Sequence, residues 1–254
     1  MSLVQLSVFV LCVLSLCLSI TAHSASEWQD RVIYQVLTDR IGADGSDSWS
    51  ACSNLKKYCG GTYSGIEAKL DYITGMGFDA IWISPMPLNA GDDYHGYAFL
   101  DLYSLNDHFG DEASLKSLIK TAHAKGVWVM LDVVANHVAP VDTSYTQINP
   151  FNESYYYHDK CQIEDWNDQD EVENCRLANL PDLDQNNDYV RSTLIDWVSK
   201  LKATLMGCVL ILSRKFILIF GVNTVLLLVC IVLVKCLMVI LIMYRVINNI
   251  WTVY

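Results

Sequence analysis

Positive charge is what this sequence has least of. Seventeen Lys and Arg stand against 28 Asp and Glu in 254 residues, a formal net charge of −11. Such a balance repels phosphate groups and argues against nucleic acid or an anionic membrane surface as a partner. An acidic surface suits a secreted protein that handles neutral polymers. Basic residues are also missing from the N-terminus, where a secretory leader ordinarily carries them. The rest of a leader is there. Val8 to Ile20 is apolar but short for a membrane-spanning helix, and the small residues Ala22, Ser24 and Ala25 follow it. Residues 1–25 are therefore expected to be a cleaved signal peptide, and the mature protein extracellular. Hydrophobic residues reach 52%, and the excess sits at the two ends of the chain.

Between those ends the pattern alternates. Arg31 to Arg40 reads as a first strand and its loop. Ile66, Leu70 and Ile73 recur at helical spacing within 65–75, and Phe78 to Ser84 is a second strand, stopped by Pro85. Asp111 stands as the N-cap of a helix with Leu115, Leu118 and Ile119 on its apolar face, and Gly126 ends it. Gly126 to Leu131 follows as a third strand, an unbroken apolar run of the kind buried on both faces of a parallel sheet. Strand, helix and strand in that order predict βαβ units. From Ala139 to Asp184 the periodicity stops in favour of Tyr, Asn and Asp, far beyond ordinary loop length, which marks a functional segment. Residues 187–202 return to helical spacing.

The third strand runs directly into Asp132-Val133-Val134-Ala135-Asn136-His137. A buried strand that ends in Asp, Asn and His has moved from packing residues to site residues, as at the C-terminal end of a strand in a parallel barrel. This hexapeptide resembles the first signature region of the α-amylase family of glycoside hydrolases. Tyr58-Cys59-Gly60-Gly61-Thr62, Leu70-Asp71-Tyr72-Ile73, Tyr94-His95-Gly96-Tyr97 and Leu180-Pro181-Asp182-Leu183-Asp184 are similar to further words of that family, in its order. The likeness covers about Trp28 to Lys202 and is close to the secreted fungal enzymes of that family. It implies an α/β protein of the (β/α)8 TIM-barrel family, here with only the first three strands. Residues 26–138 would be the N-terminal part of the catalytic barrel, 139–184 the protruding domain B, and 185–204 barrel helix three.

The resemblance also implies roles. His95 and His137 correspond to histidines that hydrogen-bond the sugar at the scissile position, and Tyr97 to the aromatic ring beneath it. A ring face suits the C–H surface of a pyranose, and an imidazole can donate to its hydroxyls. Ala98 departs from the fungal pattern, where Trp follows His-Gly-Tyr, so one stacking platform is expected to be lost. Calcium, which takes six to eight oxygen ligands, would be held by the Asn136 side chain, the Asp182 carboxylate and the Glu173 backbone carbonyl. The lesser alternative on the residues alone is that Asp182 is a solvated turn acid after Pro181, and 164–173 could be a solvated acidic face. Disulfides Cys52–Cys59 and Cys161–Cys175 are implied, and Asn152-Glu153-Ser154 is a glycosylation acceptor. The expected substrate is an α-1,4-glucan such as starch or glycogen, the cofactor Ca2+, and the expected state a monomer with neither nucleic acid nor membrane as partner.

The catalytic half of that site does not occur. Retaining glycosidases need a nucleophile and an acid/base carboxyl, which the family carries in Gly-Leu-Arg-Ile-Asp and Gly-Glu-Val words after later strands. Instead, residues 205–254 form an apolar tail, and 216–234 alone has the length and composition of a membrane-spanning helix. Taking the last base of each codon with the first two of the next, back-reading from the junction of Leu205 and Met206 permits Asp-Gly-Leu-Arg-Ile-Asp. From Phe220 onward it permits a run ending in Gly-Glu-Val. The tail is thus expected to be the family's sequence in a shifted frame, changed between about Lys202 and Met206, and the chain as written inactive. Two other readings stand beside this one: a non-catalytic, membrane-anchored carbohydrate-binding protein, and an α-glucosidase or transglycosylase of the same family.

Overall fold

The computed structural model describes residues 25–43, 52–141 and 144–204. Residues 1–24 of the expected signal peptide and the tail at 205–254 lie outside the described residues. Helix α1 (Ala25–Gln29) leads into strand β1 (Ile33–Val36), and helices α2 (Tyr63–Ala68) and α3 (Leu70–Gly75) into β2 (Ala80–Ile83). A hairpin of β3 (Pro87–Asn89) and β4 (Phe99–Leu105) follows, then α4 (Glu112–Ala124) and β5 (Trp128–Leu131). Short α5 (Gln169–Asn174) and long α6 (Asp188–Thr204) complete the order.

Strands β1, β2 and β5 form a three-stranded parallel sheet in that order. Ile33 is level with Ala80 and Ala80 with Trp128; at the far end Val36, Ile83 and Leu131 align. Ala80, Ile81 and Ile83 are fully buried and Val129, Met130 and Leu131 nearly so, because helices cover one face and a tryptophan-lined cluster around Trp28 lies on the other. Helix α4 explains itself locally. The Asp111 carboxylate accepts from the Ser114 backbone N–H at 2.8 Å, Leu115, Leu118, Ile119 and Ala122 turn inward, and Gly126 takes a positive φ of 73° just past its end. Each such side chain stabilises the fold by about 1.5–3 kcal/mol when fully buried.

Where one helix is expected over 65–75, the structure has two. Lys69 leaves helical geometry at φ −99°, ψ 4°, and its N–H turns back to the Ile66 carbonyl at 3.0 Å, a tightened last turn. The inward set survives the break, since Ile66, Leu70 and Ile73 are all fully buried. The hairpin is a second departure. Its alternation is obscured by register shifts on either side of Leu88, so it carries no clean period of two.

Residues 139–184 have little regular structure but are not loosely packed. Tyr145, Ile148, Phe151, Tyr156, Tyr157 and Leu183 join Phe99, Leu102 and the inward face of α6 (Val190, Leu194, Trp197, Val198) in one buried cluster. Isolated bridges replace strands there, pairing His137 with Asp182, Tyr157 with Leu183 and Gln162 with Arg176. Disulfides Cys52–Cys59 and Cys161–Cys175 are both formed, with Cα separations of 5.4 and 4.8 Å. The acidic run at 164–173 is a solvated face, and α5 within it buries no residue. Among the described residues, no helix is long and apolar enough to cross a membrane.

Candidate functional site

The three parallel strands end on one side, and polar residues begin there. Asp132 follows β5, its N–H held by the Ile83 carbonyl at 3.2 Å. Its carboxylate is buried, and one oxygen, Oδ2, accepts both the Tyr97 hydroxyl at 2.6 Å and the Trp82 indole N–H at 3.2 Å. Gln35, Val36, Leu37, Trp82, Ile83, Ser84, Tyr97 and Asp132 line a small, shallow depression. Among them Ser84 accepts the Thr38 N–H at 3.1 Å. Burial pushes the Asp132 carboxyl up to about 6 even though both donors pull it down. Burial, then the charge and hydrogen bond of Asp132, raise the Tyr97 phenol well above its ordinary range. At neutral pH the pair is thus a carboxylate and a phenol donor, which locks the tyrosine ring.

The loop before β4 carries His95 and Tyr97. The His95 Nδ1 accepts the Tyr97 N–H at 3.0 Å, which assigns the ring proton to Nε2. That Nε2 lies 3.9 Å from Asp93 Oδ1, and the half-buried ring stands 5.8 Å from the Tyr97 ring, tilted by 34°. His137 is placed differently. It is buried, its Nε2 donates to the Tyr97 carbonyl at 2.9 Å, and its Nδ1 takes the Asn136 amide at 3.1 Å. The structure therefore gathers all three residues, with Tyr97 lining the depression, His95 beside it, and both His137 nitrogens on protein partners. Ala98 is buried behind them, its N–H on Asn89 Oδ1 at 2.8 Å.

Residues 136–138 pair with 181–183: Leu183 N–H donates to the Asn136 carbonyl at 2.8 Å and Val138 N–H to that of Pro181 at 3.1 Å. This brings Asn136 and Asp182 together, with the amide Nδ2 on Asp182 Oδ1 at 2.9 Å. Asp182 is buried, so it is no solvated turn acid. Its second oxygen meets His158 Nδ1 at 2.7 Å, and His158 Nε2 lies 3.3 Å from Asp184 Oδ1. Glu173 is carried on α5, its own carboxylate accepting the Gln169 amide at 2.5 Å. A carboxamide and a buried carboxylate are hard oxygen donors of the kind calcium takes. Among the described residues no group of three or more His, Cys, Asp or Glu is arranged around a metal position. Backbone carbonyls and water would have to complete the shell.

Asn152 is exposed, as an acceptor asparagine must be. The sequence marks Asp132 as a site residue at the strand end without giving it a role, and it does not single out Trp82 or His158, whose partners lie 50 and 24 residues away.

The α-amylase catalytic-domain family model matches residues 35–203. "Alpha-amylase 3" of Schizosaccharomyces pombe is 45% identical over 213 residues, covering 76% of this chain and 38% of that protein. "Alpha-amylase 2" of Schwanniomyces occidentalis is 41% identical over 195 residues, covering 71% and 38%. Among solved structures, an α-amylase from Malbranchea cinnamomea superposes with TM-score 0.68 at 45% identity, over 72% of this chain and 42% of that one. The α-amylase of Geobacillus thermoleovorans, solved with acarbose, gives 0.63 at 40% identity, over 70% and 38%. The chain thus spans well under half the length of these relatives.

Proposed function

The chain belongs to the α-amylase catalytic-domain family of glycoside hydrolases, and from that premise we propose that it is the substrate-positioning part of an extracellular, calcium-dependent, retaining endo-α-amylase acting on starch-type α-1,4-glucans. The observation that carries this is the gathering of His95, Tyr97 and Asp132 at the C-terminal end of the parallel sheet. In this proposal the Tyr97 ring face packs under the sugar at the scissile position, and Asp132 and Trp82 hold that ring against rotation. His95 Nε2–H donates to a sugar hydroxyl. His137 acts one step back, through the Tyr97 carbonyl. Acarbose in the Geobacillus relative is in keeping with a glucan-shaped ligand.

Calcium would be held by the Asn136 side chain, the Asp182 carboxylate and the Glu173 carbonyl. When bound it supplies fixed positive charge that pins the segment after β5 to residues 181–184. His158 orients the Asp182 carboxylate from the far side. Residues 139–184 would be domain B, 26–138 and 185–204 barrel, 1–25 a signal peptide, and Asn152 a glycosylated surface residue.

Hydrolysis with retention requires a nucleophile and an acid/base carboxyl roughly 5 Å apart. The proposal places both in the 205–254 stretch read in its other frame, so the chain as written is inactive. Two facts support the change of frame: the family match ends at residue 203, and the next residues, read one base out, permit the missing words. Sequencing the transcript across the codons for Val198 to Gly207 tests it. An added or lost base that restores the frame, with endo-cleavage of amylose by the restored protein, is the expected result. An intact frame would overturn the catalytic reading and leave a non-catalytic, anchored glucan binder.

A further inference from the structure

Away from the cleft, a second set of aromatic rings faces solvent together. Tyr155 is 63% exposed, Tyr103 52% and Tyr189 46%. Single exposed aromatics are ordinary, but a contiguous group on an acidic protein calls for an occupant. These rings are held in place by buried ones. Tyr156 lies between two of them, its ring 4.3 Å from Tyr155 and stacked 4.9 Å from Tyr189, and fully buried Phe151 meets Tyr156 and Tyr189 edge-on at 6.1 and 6.4 Å. The Tyr155 hydroxyl donates to that of Tyr156 at 2.9 Å, and the Asn187 amide to the Tyr155 carbonyl at 3.1 Å. On β4, exposed Tyr103 follows Leu102, which packs in one buried cluster with Phe151, Tyr156 and the inward face of α6. The platform is therefore rigid before anything binds, which removes much of the ordering cost of binding.

Its chemistry narrows the occupant. Glu153 flanks Tyr155, Asp101 lies two residues from Tyr103, and beside Tyr189 the cation of Arg191 is offset by Asp188 at 3.8 Å, so the surroundings are net acidic and phosphates, anionic lipid and nucleic acid are repelled. Ring faces with phenol hydroxyls and amides at their edges match a neutral polyhydroxylated chain, whose C–H faces stack and whose hydroxyls find donors and acceptors. We propose that Tyr103, Tyr155 and Tyr189 form a second, non-catalytic binding surface for an α-glucan strand, separate from the depression at Tyr97 and Asp132. The choice of glucan rests on the function proposed above; the surface itself does not. It would hold a long chain at two points, a gain in avidity that short oligosaccharides cannot share.

Affinity electrophoresis of the full chain in native gels, with and without soluble starch, tests this. The forms compared are wild type, Tyr155→Ala/Tyr189→Ala, the ring-keeping Tyr155→Phe/Tyr189→Phe, Tyr103→Ser and Tyr97→Ala. Starch is expected to retard wild type and the Phe pair, and to retard Tyr97→Ala less, because one of the two holding points is then gone. The Ala pair should lose about tenfold in apparent affinity, a few-fold for each ring removed, and Tyr103→Ser, which leaves the buried rings intact, about threefold. Undiminished retardation of both the Ala pair and Tyr103→Ser overturns the proposal. Loss confined to Tyr97→Ala also overturns it, while leaving the proposed function standing. If no form is retarded, both fail together.

Discussion

The Tyr97 hydroxyl donates to Asp132 Oδ2 at 2.6 Å across 35 residues of sequence. That contact joins the loop before β4 to the end of β5 and decides which way the tyrosine ring faces. Because the accepting carboxylate is buried, the same contact carries a pH dependence.

Burial lifts the Asp132 carboxyl from 3.8 to about 6. Between about pH 4 and pH 6 the folded chain therefore keeps a proton that the unfolded chain has released, and stability falls as pH rises through that window. The full span is on the order of 3 kcal/mol. Asp132→Asn is expected to flatten this part of the profile. Thermal unfolding of both forms between pH 4 and pH 7 checks it, and parallel curves would sink the assignment.

Loss of the imidazole in His158→Ala leaves Asp182 Oδ2, on a fully buried side chain, without its 2.7 Å partner. The expected cost is about 1–3 kcal/mol, and His158→Gln, which can still donate, should recover part of it. If calcium sits at Asp182, a chelator lowers the melting temperature of wild type but not of Asp182→Ala. Equal chelator sensitivity in the two would move the metal elsewhere.

Breaking Cys161–Cys175, which closes a loop with a sequence separation of 14, is expected to destabilise the fold by about 3 kcal/mol. Cys161→Ser/Cys175→Ser in urea unfolding reads this directly. Because the disulfide ties the start of the acidic stretch to the end of α5, proteolysis should increase first at 161–175. Cleavage starting elsewhere would contradict that placement.

Gly61 sits where a Cβ would meet the Asp39 carbonyl carbon at 2.2 Å and the Thr38 oxygen at 2.3 Å, both backbone atoms that cannot yield. Gly61→Ala is therefore expected to cost at least about 1–3 kcal/mol. It should also disturb the buried Asp39 carboxylate, which accepts the N–H groups of Cys59 and Gly61 at 2.7 and 3.1 Å. A wild-type melting temperature in the variant would show that the turn relaxes freely.

The parallel strands, α4 and α6 were legible because each is a local pattern. A buried strand is a short β-branched run, and an N-cap lies three residues before the N–H it serves. The break at Lys69 was not legible because it leaves the spacing of Ile66, Leu70 and Ile73 undisturbed, and the hairpin was not because its register shifts remove the period of two. His95, Tyr97, Asn136, His137 and Asp182 came from matching words, which name residues without saying what those residues touch.

By itself, then, the sequence determined which segments are buried and which family's words they spell, because hydrophobic period and motif spacing are properties of neighbours along the chain. Only the tertiary structure decided that Asp132 holds Tyr97, that His158 holds Asp182, that His137 turns to a carbonyl, and that Tyr155 and Tyr189 flank Tyr156. Each of those depends on how the chain returns past itself, and on the loss of water that makes a buried carboxylate demand a partner.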